Sequence, residues 1–269
     1  MTQIVAIMLV KNEDIYVEQA IRNIIGFCDH IIICDNYSND QTWPILKRLA
    51  QEFSHIELQQ VETVAQSQTV IEPFAGTATW VFGVDGDEIY DPTGLAAFRA
   101  KILSGMFDHD FAIFGNVLNC ATLDIIKKTA WGYQAPPCRS MTKLYNFAAI
   151  ESWTGCTERL HGGKIIFKPG YHHLLRHMYH EEHAWEESDY RCLHTVFLKR
   201  SSAQSPLAVK TRLNPESIRY YQSSRNLFYR SVKYLRSIIQ LLFLQDYKYE
   251  KYHRGPQVSK DVVTFFPEK

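Results

Sequence analysis

The run Val84-Asp85-Gly86-Asp87-Glu88 places two carboxylates one small residue apart, directly after the apolar stretch Trp80 to Val84. An Asp-x-Asp turn can aim carboxylate oxygens at a hard divalent cation, and such a cation keeps part of its coordination shell for substrate phosphates. The chemistry that needs this arrangement is the departure of a phosphate ester. Negative charge grows on the leaving oxygen, and bound Mn2+ or Mg2+ stabilises it as a Lewis acid. The plainer alternative is a solvated acidic turn, because short motifs also match by chance. Two further polar clusters accompany it, Lys11-Asn12-Glu13-Asp14 and Asp35-Asn36-Tyr37-Ser38-Asn39-Asp40.

Each cluster follows an apolar run. Ile4 to Val10 reads as a buried strand, and Val17, Ala20, Ile21, Ile24 and Ile25 then recur with helical spacing up to Gly26. His30 to Cys34 reads as a second strand followed by a helix over Trp43 to Phe53. Ile56, Leu58 and Val61 alternate as a third strand, and Trp80 to Val84 is the fourth. Strands alternating with helices predict right-handed crossovers and a largely parallel sheet, with ligands held outside the carboxyl ends of the strands. All three acidic clusters sit at such ends. Beyond about residue 105 the strands Phe111 to Asn119, Thr142 to Phe147 and Lys164 to Lys168 have few helices between them, so a mixed or antiparallel arrangement is expected. Ala184 to Arg200 and Pro215 to Leu244 read as terminal helices.

Composition narrows the function classes. The chain has 269 residues, 46% hydrophobic and 22% charged, which suits a packed α/β domain and excludes a disordered chain. Basic and acidic residues balance at 29 each, so no whole-molecule field draws the protein to nucleic acid. The six cysteines form no Cys-x-x-Cys pair and read as reduced thiols. With no leader pattern and no apolar run of about 18 residues, the expected location is the cytoplasm, up to the inner face of the membrane.

The stretches Val10-Lys11-Asn12-Glu13, Asp35-Asn36-Tyr37-Ser38-Asn39-Asp40-Gln41-Thr42 and Asp85-Gly86-Asp87-Glu88 together resemble the family 2 glycosyltransferases of the GT-A fold, in order and in spacing. That resemblance implies a Rossmann-like mixed sheet and a nucleotide-sugar donor, UDP-linked first among the candidates. Lys11, Asn12 and Glu13 would face the nucleotide, Asp35 and Asn36 the base, and Asp85 and Asp87 the ribose and the metal. It implies a metal-dependent, inverting transfer. Many relatives carry a second Asp where Asn36 stands. A second resemblance, to the branch containing the lipopolysaccharide core glycosyltransferases, rests on Cys156-Thr157-Glu158-Arg159-Leu160 and His177-Met178-Tyr179. It implies Glu158 as general base for the acceptor hydroxyl and His177 at the metal or diphosphate, although Thr157 stands where that branch usually shows His. The acceptor implied is a cell-surface glycan or its lipid-linked precursor.

Several residues keep a second reading. Asp14 suits a helix cap, and Ser38 and Asp40 suit turn and cap chemistry as well as ligand contact. Glu158 and Arg159 also suit an exposed ion pair. Arg139 and Lys143 either pair with a diphosphate or edge the sheet. The five histidines from His172 to His183 lack the His-Glu-x-x-His spacing of a zinc site. The domain reading is residues 1 to 200 as the GT-A unit and 201 to 269 as a helical extension. The basic, aromatic stripe of that extension suits packing on the domain, a second copy of the chain or a membrane surface. Two other functional classes share parts of this pattern. A non-catalytic nucleotide-sugar-binding scaffold would share the fold. A dinucleotide oxidoreductase would need a Gly-x-Gly-x-x-Gly turn where Val10-Lys11-Asn12-Glu13 stands.

Overall fold

The computed structural model describes residues 1–135, 143–203, 252 and 255–267. The first half follows the expected alternation: β1 (Gln3–Val10), α1 (Val17–Ile24), β2 (His30–Asp35), α2 (Thr42–Glu52), β3 (Ile56–Gln60), the short α3 (Gln66–Thr69) and β4 (Thr79–Val84). After the Asp-Gly-Asp turn come β5 (Glu88–Tyr90), α4 (Pro92–Leu103), β6 (Ala112–Phe114), β7 (Asn116–Asp124), β8 (Thr129–Ala135) and β9 (Lys143–Asn146). β10 (Ile150–Glu158) and β11 (His161–Phe167) form a hairpin. β12 (Arg176–His177), α5 (Tyr179–Glu182), β13 (Arg191–His194) and β14 (Gln257–Asp261) follow.

The main sheet has the order β12-β6-β9-β4-β1-β2-β3. β3, β2, β1 and β4 are parallel, and β9 runs against both β4 and β6. This is the expected Rossmann-like mixed sheet. Alternate residues of each central strand serve two cores, as the two-residue side-chain period requires. Ile4, Ala6 and Met8 with Ile31, Ile33, Trp80 and Phe82 pack beneath α1, α2 and α4. Val5, Ile7, Ile32, Cys34 and Val81 face the other way, against Trp153 and Leu160 of the β10–β11 hairpin. One sheet is therefore covered by helices on one face and by a hairpin on the other.

A second sheet, β14-β8-β7-β13-β5, carries a third core containing Ile89, Leu118, Leu193, Val262 and Phe265. The Asp85–Asp87 turn is the joint between the two sheets, since β4 belongs to the first and β5 to the second. Among the described residues no helix is long and apolar enough to cross a membrane.

Two expectations from the sequence need correction. Ala184 to Arg200 is not a helix: Arg191–His194 is a strand inserted between β5 and β7, and its backbone satisfies both neighbours. The long-range ladder overrides the local helical spacing. Within the expected helical extension, Gln257–Asp261 is an edge strand on β8, so these residues belong to the body of the protein. The expected helix over Pro215 to Leu244, and with it the membrane or dimer contact, lies outside the described residues.

The return of the C-terminus is fastened by Asn23, buried in α1, whose Nδ2 donates to the carbonyls of Tyr90 (2.7 Å) and Phe265 (2.8 Å). Asn23→Ala strands both buried acceptors. It is expected to lower unfolding stability in urea by about 2–4 kcal/mol. A loss under about 0.5 kcal/mol would show that these bonds do not hold the terminus.

Candidate active site

The acidic turn closes on two arginines from distant parts of the chain. Asp87 is 1% exposed. Its Oδ2 lies 2.6 Å from Arg200 Nη1, which also reaches Glu13 Oε1 at 2.9 Å. Asp85 is half-exposed, and its Oδ1 is bound by Nη2 of the buried Arg159, which also donates to the Val84 carbonyl at 3.0 Å. His194, on β13, brings Nε2 to 3.7 Å from Asp87 Oδ1 and pairs through Nδ1 with Asn119 Oδ1 at 2.9 Å. Glu88 closes the turn, its Oε2 accepting from the Asp85 N–H (3.1 Å) and the Tyr90 hydroxyl (3.2 Å).

The electrostatics follow from burial. Desolvation pushes the Glu13 carboxyl up to about 8 against the pull of Arg200, with Asp87 and Asp85 adding to the rise. Desolvation and the charge of Asp85 push Glu88 up to about 8 as well. For Asp85, burial acts upward most strongly, but the charges of Arg159, His194 and Lys143 together hold the carboxyl below its ordinary value. Near neutral pH the turn therefore sets Asp85 and Asp87 against Arg159 and Arg200, with Glu13 and Glu88 largely protonated.

The loops predicted to face a nucleotide do meet. Asp35, fully buried, accepts from the Ser38 N–H (3.1 Å), the Ser38 hydroxyl (2.5 Å) and Gln60 Nε2 (3.1 Å). Lys11 Nζ donates to Asn36 Oδ1 at 3.1 Å, and the Asn12 N–H to Ser38 Oγ at 2.9 Å. Asn12 and Tyr37 both adopt left-handed backbone, at φ 55° and 50°. Such positions concentrate at ligand-binding loops. The Glu13 N–H is held by Thr42 Oγ1 at 2.8 Å. Gly86 leaves room for the Glu13 carboxyl, because a Cβ there would fall 2.1 Å from Glu13 Oε2.

The arginines are positioned by separate devices. Arg159 rides on the tip of the β10–β11 hairpin, which α3 clamps: its N–H donates to Ser67 Oγ (3.0 Å), and the Leu160 N–H to Gln68 Oε1 (2.9 Å). Leu160 itself takes φ 54°. Arg200 is held by a strap. The Ile15 N–H donates to the Arg200 carbonyl (3.1 Å), Asp14 accepts from the Ser202 N–H (2.7 Å), and Asp40 accepts from the Ser201 hydroxyl (2.5 Å). Asp14 is thus a tether and not the cap of α1, whose N-cap is Tyr16 without a side-chain bond. Ser38 and Asp40 are scaffold.

Beside Asp85 lies a small cleft lined by Gly83, Glu88, Lys143, Arg159, Leu160 and His161. Glu158, the expected base, ends β10 next to this cleft, with Oε1 3.4 Å from His161 Nδ1. Burial and the charge of Lys143 lower the His161 pKa.

His177 is not part of this site. It pairs with Asp110 (3.5 Å) and Glu182 (3.2 Å) at the β12 edge of the main sheet, where among the described residues β12 pairs only with β6. The histidine brought to the acidic turn is His194, and no spacing in the sequence pointed to it. Arg139 lies outside the described residues. Among the described residues no three His, Cys, Asp or Glu side chains are gathered to hold a metal ion. The arrangement does not fit the expected Mn2+ or Mg2+, because the carboxylates meant to ligate it are each engaged by a guanidinium.

No family model and no curated protein matches the chain. Solved structures do. The chain is similar to Staphylococcus aureus TarS (residues 1–349) in complex with UDP, at 17% identity and TM-score 0.39, over 55% of this chain and 48% of that one. It is similar to Mycobacterium tuberculosis glucosyl-3-phosphoglycerate synthase in complex with Mn2+, UDP and glucosyl-3-phosphoglycerate, at 14% identity and TM-score 0.34, over 55% and 58%. It is also similar to the Pyrobaculum calidifontis mannosyltransferase PcManGT in complex with GDP-Man and Mn2+, at 14% identity and TM-score 0.43, over 89% and 69%. The chain spans about half the length of the TarS fragment. At these similarities the functional reading rests on the chain's own residues.

The buried carboxyls make stability depend on pH in a defined direction. Glu88 is raised from 4.5 to about 8, so across that window the folded state keeps a proton that the unfolded chain releases. Stability from this group is present below its unfolded pKa and is lost as pH rises through about 8. Glu88→Gln cannot ionise. Relative to the parent, it is expected to become progressively more stable between about pH 5 and pH 8 in urea titrations; a flat difference would contradict the buried, protonated carboxyl.

Proposed function

We propose that the chain is a glycosyltransferase that takes a sugar from a nucleotide-diphosphate donor. One observation carries the reading. The strand order β3-β2-β1-β4 reverses direction between β1 and β4, and Glu13, Asp85 and Asp87 stand at the carboxyl ends of those two strands. In open α/β sheets, ligands bind in the crevice at this switch point. The nucleotide then lies over the ends of β1 and β2, against Lys11, Asn12, Asp35 and Asn36. The diphosphate and the sugar then lie toward β9 and the tip of the β10–β11 hairpin, with the acceptor beyond them.

The reading extends to the chemistry. The acceptor oxygen attacks the anomeric carbon as the bond to the diphosphate breaks, inverting that carbon, and the acceptor proton passes to Glu158. A carboxylate beside the cleft, with His161 Nδ1 3.4 Å away, suits that role. Family 2 membership, a UDP-linked donor and a glycan or lipid-linked glycan acceptor belong to the same proposal. The divalent cation expected from the acidic pair would compete with a buried guanidinium at each carboxylate.

Incubation with a panel of UDP- and GDP-sugars, with chromatography of the released nucleoside diphosphate, tests the reading. At least one donor is expected to be cleaved or transferred. Glu158→Gln is expected to lower kcat by about 10²-fold or more with nucleoside-diphosphate affinity unchanged. Binding of donors without any release of nucleoside diphosphate would make the chain a nucleotide-sugar-binding scaffold and overturn the enzymatic reading.

A further inference from the structure

The acidic turn presents a charge balance that is complete without an added ion. Asp87 and Glu13 share Arg200, with contacts of 2.6 and 2.9 Å, and Asp85 is bound by Arg159. Both arginines are buried, their side chains 12% and 7% exposed, and each is fixed by its own scaffold, the 200–203 strap and the α3 clamp. A divalent cation placed on the bound oxygens, Asp85 Oδ1 and Asp87 Oδ2, would displace a buried guanidinium, and an uncompensated buried charge is strongly destabilising.

Arg159 also retains donor capacity. A guanidinium carries five N–H donors in a fixed fork suited to phosphate oxygens. Nη2 serves Asp85 and the Val84 carbonyl, whereas the buried Nε–H has no acceptor among the described residues. The residue lines the cleft beside Asp85, together with Lys143, which stands opposite Gly83 on β9, and His161. Of the acids that also line the cleft, Asp85 is paired with Arg159 and Glu88 is largely protonated near neutral pH, so the cations Arg159 and Lys143 set the charge of its wall. Gly83 keeps it open to the hairpin, since a Cβ there would lie 2.7 Å from Leu160 Cδ1.

Resting on the glycosyltransferase reading, we propose that the donor's diphosphate is bound by Arg159 with Lys143 and His161, and that nucleotide binding needs no divalent cation. Arg200 takes the second half of the cation's part by neutralising Asp87. The ligand class is a nucleoside diphosphate held through charge-assisted hydrogen bonds from the chain itself.

Isothermal titration of the full chain with UDP and with GDP, first after dialysis against EDTA and then with excess Mn2+, tests this. The affinity of the binding nucleotide is expected to agree within about threefold between the two conditions. Arg159→Lys, which keeps the charge but loses the fork, is expected to weaken it by about tenfold or more. Lys143→Ala, at the cleft wall, is expected to weaken it by about threefold to tenfold, with thermal melting curves showing that both variants are folded. If Arg159→Lys does not fold, Lys143→Ala decides alone. Binding that appears only with Mn2+, or tightens tenfold or more on its addition, overturns this inference and leaves the glycosyltransferase reading standing. Binding without Mn2+ that the folded variants do not weaken overturns the assignment of the cleft. If neither nucleotide binds in either condition, the glycosyltransferase reading fails and takes the inference with it.

Discussion

Two guanidinium groups held against two aspartates at the mouth of β4 are the constraint from which the rest of the site follows. Asp87 is almost wholly buried, and a carboxylate in that position is tolerable only with a hydrogen-bonded partner of opposite charge. Arg200 supplies it from a point 113 residues away in sequence. Asp85 is supplied from the hairpin on the opposite face of the sheet. The chain between these points must fold so that both arginines arrive, and the described structure shows how: a strap tied to the β1 and β2 loops, and a hairpin clamped by α3.

The glycines and strained residues fall where this closure is tightest. Gly86 leaves room for the Glu13 carboxyl, Gly83 leaves room for Leu160, and Leu160 takes a left-handed conformation that a leucine adopts at a cost. Buried polar groups in Ser67 and Gln68 repay part of that cost by bonding the hairpin tip. Local strain at a site fed by several long-range contacts is what a binding centre looks like when the surrounding fold over-determines it. The two sheets meet at the same turn, so movement of one relative to the other would be felt directly at Asp85 and Asp87.

The first half of this architecture was legible in the sequence because its signals are local. β1, β2 and β4 are continuous apolar runs ending in polar clusters, and the helices between them carry plain 3.6-residue spacing. Asp35, Asp85 and Asp87 were legible for the same reason, standing at strand ends. The second half was not. Ala184 to Arg200 carries apolar residues at spacings that suit a helix, yet Arg191–His194 is drawn into a sheet by partners some 75 to 100 residues earlier in the chain. Arg159 read as a surface residue because nothing near it in sequence announces Asp85, and Arg200 and His194 carried no motif at all. His177 was assigned by resemblance, and its place beside Asp110 and Glu182 depends on where β12 joins the sheet edge. Residues that act through contacts far apart in sequence leave no periodic mark.

The most direct test of the buried charge balance is a double-mutant cycle between Arg200 and Asp87, with Arg200→Met, Asp87→Asn and the double variant unfolded in urea at neutral pH. A coupling energy of about 2 kcal/mol or more is predicted, each single variant costing more than its share because it leaves the other charge buried and alone. A coupling within about 0.5 kcal/mol of zero would contradict it, showing that the two side chains do not depend on each other and that the acidic turn is held by other means.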